Sequence, residues 1–441
     1  MLKIMATQDR EAQFVDIADL RVGMFVYIDL GWMKHPFTLN SFKITAQDQI
    51  DTLVKLGVER IRWSPEKSDL VQPAAAEALD EAPLVGTRDQ GLVAAVAADV
   101  AALNEKRQQR RLLLNAQREN LEHSERQFAS AAKSYRQILD LARKQPEAAK
   151  AQATEVVGGM VAQLLDQEET AIRLLSENMG ERASMHSINV SVISLLLGKA
   201  LRLDAAALST VGTGALLHDI GKLDLPERLR WLDNQFNPAE RKIYQEHVGH
   251  GIKIGTAMKL PAAVQEIIAQ HHELADGSGY PAQATGDRIA LPVRIVALVN
   301  HYDNLCNPGN PIQAITPHEA LAHIYAQMKR QFDNAVLMTF IRMMGVYPPG
   351  SVVELSDGRL ALVVSVNSTR PLKPSVVVFD PSVPRAEALV EDLDKNSDLG
   401  IRRSLKPLQL PKSALDYLSP RQRMCYFFER ARSADSSGPG T

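Results

Sequence analysis

The placement of histidine constrains this 441-residue chain more than any other feature. From about Ala151 to Met344 the pattern is helix after helix with short loops, and into it fall His186, the pair His218-Asp219, His247 with His250, and the pair His271-His272. His186 shares a stripe with Val190, Ile193 and Leu197, so it faces a helical core. In "TVGTGALLHDIGK", Val211, Ala215 and His218-Asp219 fall on one face, at the end of a helix that Gly221 is predicted to terminate. The histidine pair at 271–272 opens a loop, "HHELADGSGYP". A lone core histidine usually packs and hydrogen-bonds. Several imidazoles beside a carboxylate in one helical domain are costly to bury without a metal or partners, so the pattern predicts a metal centre.

Imidazole nitrogens with a bridging carboxylate and no thiolate suit iron, manganese or another borderline divalent metal. Two metals sharing Asp219 would generate a hydroxide near neutral pH and clamp a phosphate for in-line attack. Such chemistry needs no side-chain nucleophile. It does need a cation for the phosphoryl oxygens, and Lys222, one turn past Asp219, is placed for that.

The rest of the chain sets limits. Fifty basic residues against 52 acidic give a net charge of −2, which argues against a general nucleic-acid binder. Cys306 and Cys425 are too few for a disulfide framework or a cysteine zinc site. No apolar run approaches the ~18 residues of a membrane helix, and "MLKIMATQDREAQ" lacks the apolar core of a signal peptide, so a cytoplasmic protein is expected. Phe14 to Trp63 read as a small α+β unit, with a helical stripe at Ile50, Leu53, Val54 and Leu56, a stop at Gly57 and a strand from Val58 to Trp63. Asp16, Asp19 and His35 have no partner spacing there, which leaves that unit a structural or regulatory role. Val71 to Gly86 is a linker by composition. Ala97 to Lys144 lacks Gly and Pro and reads as one long helix ended by Pro146. From Asn104 to Lys144 that helix carries ten basic and five acidic residues. This fits a coiled coil, a surface for a polyanion, or a solvated connector between domains. Beyond Met344, "GSVVELSDGRLALVVSVN" and "PSVVVFD" read as strands joined by an Asp357-Gly358 turn, and the tail after Arg432 reads as disordered.

The strings "LLHDIGKLDLP", "EHVGHG", "HHELADGSGYP" and "RIVALVNHYDNL", in this order, resemble the HD-GYP family of cyclic di-GMP phosphodiesterases, a branch of the HD metal-dependent phosphohydrolases. The likeness spans roughly Glu177 to Met344. "LRVGMFVYIDLGW…HPF" resembles the uncharacterised domain that often precedes this catalytic domain in bacterial proteins, and "YPPGSVVELSDGRLALVVSVN" the β extension common after it. The resemblance implies a mainly α protein: an all-helical HD-type metallohydrolase domain with a small N-terminal α+β domain and a small C-terminal β extension. The implied order is an accessory domain at 10–70, a linker at 71–96, a helical connector at 97–150, the HD-GYP domain at 151–345, the β extension at 346–410 and a disordered tail at 433–441.

Carried over by position, His186, His218, Asp219, His247, His271 and His272 match metal ligands for two divalent ions, Fe or Mn. Lys222 matches a phosphate contact. Gly279, Tyr280 and Pro281 of the signature loop, which runs from Asp276, match residues beside the substrate, as does Asp303. The implied substrate is cyclic di-GMP, opened to pGpG and in some members cut further to GMP, and the implied protein partners carry GGDEF domains. The long helix also allows a homodimer, on a heptad pattern that does not persist cleanly.

Three departures stand out. Asn300 occupies a position where the family has a metal-binding aspartate. An amide oxygen can ligate but is uncharged, so that ion should bind more weakly. His301 next to it is a conceivable substitute, though adjacent helical positions point about 100° apart. The stretch that follows, "CNPGNPIQAIT", lacks the family's basic residue, and Arg182 stands where three-metal members have a glutamate, so two metals are the upper expectation. The reading is therefore an enzyme, a cyclic di-GMP phosphodiesterase. The alternative is a weak or inactive receptor or scaffold of the same fold that binds nucleotide or a GGDEF partner.

Overall fold

The computed structural model describes residues 13–28, 41–55, 60–69, 89–167, 169–176, 181–231, 235–396 and 398–430. The linker at 71–86, His35, the stop at Gly57 and the tail after Arg432 lie outside them. The chain divides into two compact units, residues 1–93 and 94–441.

In the first unit, strands β1 (Gln13–Asp16), β2 (Phe25–Tyr27), β3 (Ser41–Lys43) and β4 (Arg60–Ser64) pair antiparallel in the order β1-β4-β2-β3. Helix α1 (Gln47–Lys55) buries Ile50 and Leu53 with Val26, Ile28, Ile44 and Ile61. The apolar stripe predicted for this helix thus supplies its core face, while Val54 is exposed.

The long helix α2 runs Asp89–Leu141, starting earlier than its sequence suggests because Gly91 lies in its first turn. In its second half Phe128, Ala131, Ala132, Tyr135 and Ile138 are buried in the core of the second unit. That half is a packed element, not a solvated rod. Pro146 takes the first position of α3 (Pro146–Asp166), where its missing N–H costs nothing. Helices α4 (Arg182–Ala200), α5 (Ala205–Leu217), α6 (Pro238–Ala257), α7 (Ala262–Gln270), α8 (Leu291–Cys306), α9 (Pro317–Gln327) and α10 (Asn334–Met344) follow. Their starts are written in side chains. Asp204 caps α5, Asn237 and Glu240 form a capping box on α6, and Thr316 and Glu319 form the predicted one on α9. Helix α4 is buried on every side from Ser184 to Gly198, its serines and Asn189 included.

The stretch 151–344 is not wholly helical. Thr170–Leu174 forms strand β5, with all five residues buried. The C-terminal strands β6 (Val352–Leu355), β7 (Leu360–Asn367), β8 (Ser375–Val378), β9 (Val390–Asp392) and β10 (Ile401–Leu405), helix α11 (Lys412–Leu418) and strand β11 (Tyr426–Arg430) complete the chain. β5 lies between β7 and β11 in a seven-stranded sheet of path β10-β6-β7-β5-β11, with β8 on β7 and β9 on β8. A strand of five residues buried on both faces has no alternation to betray it, which is why a helical reading absorbs it.

Candidate metal centre

Four short stretches converge. α4 presents His186, and α5 ends at Leu217 so that His218 caps it and Asp219 follows. α6 presents His247, and α7 ends at Gln270 with His271 as its cap. Gly221 does not stop a helix as predicted. It sits inside a 3-10 turn, Ile220–Asp224, where a Cβ would stand 1.9 Å from the carbonyl oxygen of His247. Only glycine lets this turn lie against α6 and so bring Asp219 to His247.

The ligand-type atoms form two groups that share Asp219: His186 with His218, and His247 with His271 and His272, the atoms of each group lying within 4.8 Å of one another. Oδ2 of Asp219 lies 3.4 Å from His186 Nε2 and 3.3 Å from His218 Nε2, and Oδ1 lies 3.6 Å from His247 Nε2 and 3.8 Å from His271 Nε2. Four of the imidazoles are locked by their other nitrogen. His218, His247 and His271 donate Nδ1–H to the carbonyls of Ala215, Tyr244 and Ile268 at 2.7, 2.6 and 2.9 Å, and His186 donates to Asp303 Oδ2 at 2.6 Å. That fixes the tautomer and turns each Nε2 lone pair inward.

The donor set fits divalent cations on two counts. The Nε2 atoms of His186 and His218, and of His247 and His271, face each other at 3.2 Å, and with each Nδ1 already donating, lone pairs that converge so closely repel unless a cation lies among them. In addition, Oδ1 of Asp219 is buried without a hydrogen-bond partner among the described residues, a costly state for a carboxylate oxygen.

The electrostatics keep three of the imidazoles and the carboxylate in their binding forms. Burial pushes His247 down to about 4, and burial followed by the neighbouring imidazoles holds His271 and His272 well below the usual histidine range. Burial opposes ionisation of Asp219, but Lys222 and His218 outweigh it and hold the carboxyl well below its ordinary value. For His186, burial is outweighed by its bonds to Asp219 and Asp303, and its pKa rises.

The other expected residues differ in their surroundings. Lys222 belongs to the centre, but its ammonium lies 2.6 Å from Asp219 Oδ2, so its charge is engaged by the site's own carboxylate. Asp303 does not contact a substrate space. It is fully buried and accepts from His186, from Asn189 Nδ2 and from Asn307 Nδ2, the last two at 2.9 Å, so it orients an imidazole from behind. Asn300 is buried beside His271 and His272, with its amide oxygen accepting from Asn304 Nδ2 at 2.7 Å. His301 packs on Phe332, 5.5 Å between ring centres, and does not join the convergent groups, so it is no substitute ligand. Arg182 lies over the Trp231 ring at 3.9 Å and donates to the carbonyl of Gly309.

The signature loop closes over the second group. Glu273, buried, accepts from Ala282 N and Ala284 N at 2.6 and 2.9 Å and ties the loop's end to its start. A Cβ on Gly279 would stand 2.4 Å from the His272 carbonyl oxygen, so glycine is required. Tyr280 then stacks on His272, 4.5 Å between centres and 19° between planes. A cavity of about 410 Å³ opens there, lined by Arg241, Tyr244, Gly279, Tyr280 and Asn300; Pro281 is not part of its wall. Asn189, Asn307, Asn304 and Arg241 carry no sequence signal of their own. Only the i, i+4 spacing of Asn300 with Asn304 and of Asp303 with Asn307 hints at two of them.

No described helix is long and apolar enough to cross a membrane. Residues 159–336 match the HD domain model, residues 13–153 a domain of unknown function (DUF3391), and residues 352–413 a KOW domain associated with the HD domain. Among curated proteins the chain is similar to one named a cyclic di-GMP phosphodiesterase from Pseudomonas aeruginosa, 26% identical over 83% of this chain and 84% of that one. It is also similar to a protein of Xanthomonas campestris named a cyclic di-GMP phosphodiesterase response regulator, 28% identical over 45% of this chain and 55% of that one. Among solved structures, an HD-GYP-type protein of Bdellovibrio bacteriovorus covers 75% of this chain and 98% of its own, with a TM-score of 0.40 and 14% identity. The chain thus carries an HD domain, with a domain of unknown function before it and a KOW domain after it.

Proposed function

We propose that the protein is a metal-dependent phosphodiesterase that opens cyclic di-GMP to pGpG, with GMP as a further product, in bacterial second-messenger signalling. The observation that carries this reading is Asp219, a buried carboxylate with one oxygen turned to each of two imidazole groups. His186, His218 and Asp219 would hold one divalent ion and Asp219, His247, His271 and His272 the other, with Fe or Mn suited to the donors. Bound there, the pair would supply a hydroxide near neutral pH and a Lewis acid for the phosphoryl oxygens.

The chain's own groups do the rest. Asp303 holds the His186 tautomer, and Lys222 balances the charge of Asp219 and is the nearest ammonium for a phosphate. Tyr280 with Gly279 shapes the cavity mouth over His272, and Arg241 offers a guanidinium at the same cavity. The exposed Asp276 and Ser278 of the loop are the surface we assign to a GGDEF-domain partner. Residues 10–70 are assigned as an accessory unit and 346–410 as an extension of the catalytic domain. Cys306 and Cys425 are buried free thiols, in keeping with a reducing cytoplasm.

The test is hydrolysis of cyclic di-GMP by purified protein loaded with Fe(II) or Mn(II) without oxygen, with products separated by chromatography and metal counted. The expected result is pGpG and two ions per chain. Fewer than one ion and no pGpG would overturn the reading. One observation favours a second reading, a nucleotide-binding receptor with little turnover: Asn300 brings no charge, and its oxygen is already bonded to Asn304. Tight binding of cyclic di-GMP without product would support it.

A further inference from the structure

The segment that carries Asp219 and Lys222 is a 3-10 turn, closed by bonds such as Lys222 N to Asp219 O at 2.9 Å and Leu225 N to Lys222 O at 3.1 Å. Turns of this kind hold their own geometry poorly, so their placement depends on what grips them from outside. α6 grips one side, through the close approach at Gly221. The other side is gripped by α2, an element that supplies no ligand.

Tyr135 and Leu139, one turn apart on α2, line a cavity of about 80 Å³ whose other walls include His186, Asp219 and Lys222. Tyr135 is 2% exposed and shares this cavity with Ser187, the neighbour of His186 in the chain. Just past the end of α2, Arg143 donates to the Leu223 carbonyl at 2.8 Å and pairs with Asp224, both residues of the turn. Arg136 lies 4.0 Å from Glu181, the cap of α4, and Glu125 accepts from Ser176 N at 3.0 Å. The last third of α2 thus borders the start of α4 and the turn after His218, the two places from which the His186–His218–Asp219 group is built.

We propose that Tyr135 and Arg143 are positioning residues for this group, holding His186 and the Asp219–Lys222 turn in register through α2. This rests on the metal centre proposed above, but its test does not require turnover. The full chain and the variants Tyr135→Phe, Arg143→Ala and Arg143→Lys are titrated with Co(II) while the visible d–d absorption is recorded. Arg126→Ala, which removes a pair with Glu122 alone, is the control.

Expected are a tenfold or greater loss of affinity for one of two Co(II) ions and an altered band in Tyr135→Phe and Arg143→Ala, partial recovery in Arg143→Lys and no change in Arg126→Ala. Where turnover is present, kcat falls at least tenfold while KM stays within twofold. Wild-type Co(II) affinity and spectrum in both Tyr135→Phe and Arg143→Ala would overturn the proposal. A wild-type protein that binds two Co(II) ions, shows these shifts and cleaves no cyclic di-GMP would sink the phosphodiesterase reading and leave the positioning role standing.

Discussion

Nδ1 of His186 lies 2.6 Å from Oδ2 of Asp303, and neither side chain is more than 4% exposed. The bond is charge-assisted and dry, so it sets both the ring plane and the tautomer of His186. Behind it, Asn189 and Asn307 donate to the other oxygen of Asp303 and also to the Met424 carbonyl at 2.7 and 3.0 Å. The centre is therefore braced from the C-terminal segment that leads into β11.

Replacing Asp303 by Asn keeps the shape and removes the charge. Loss of such a partner typically costs about 10–100-fold in metal affinity or activity. Metal content after dialysis, with hydrolysis rate beside it, reads the effect; retention of two ions at wild-type affinity would count against the bracing role.

Asp219→Asn strips both groups of their shared ligand and leaves the Lys222 ammonium, whose side chain is 10% exposed, without its anion. Breaking a buried pair on one side costs about 3–5 kcal/mol. The variant should bind neither ion and unfold at lower urea than metal-free wild type. Equal midpoints would show that Lys222 finds another partner.

The metal-free protein should lose stability as pH falls from about 6.5. Burial pushes His247 down to about 4 in the folded chain, against 6.5 for a free imidazole, and holds His271 and His272 well below that ordinary value too. Between those values the unfolded chain binds more protons than the folded one, so unfolding gains with each step down in pH. Thermal melts of metal-free protein between pH 7.5 and 4.5 check this, and a flat profile contradicts it.

Asn300→Asp adds a charge beside His271 and His272. It should tighten one ion and raise turnover, since the cavity already holds that side chain 3% exposed. Activity that appears only in the variant would mark the natural protein as a receptor; unchanged metal affinity would show that position 300 does not face the ions.

Much of the centre is legible in the sequence because ligand residues must be particular types at particular spacings: His218-Asp219 and His271-His272 announce themselves. The capping box at Thr316 and the turn at Asp357-Gly358 are local and equally plain. Asp303 reads wrongly because sequence gives its helix and not what stands behind it. Asn189 and Arg143 are invisible, since an asparagine in a buried helix or an arginine at a helix end has many uses, and only the fold selects one. Gly221 misleads for the same reason: a glycine after a helix usually ends it, whereas here a neighbouring carbonyl 1.9 Å from its missing Cβ decides. β5 is missed because its pairing partners lie about 190 and 250 residues away.

That strand has a practical consequence. A fragment cut to the HD match, 159–336, would keep β5 and lose both strands that flank it, leaving two unpaired backbone edges on a fully buried pentapeptide. A fragment of this chain made to fold on its own should therefore extend at least to Arg430, so that β5 keeps both of its partners.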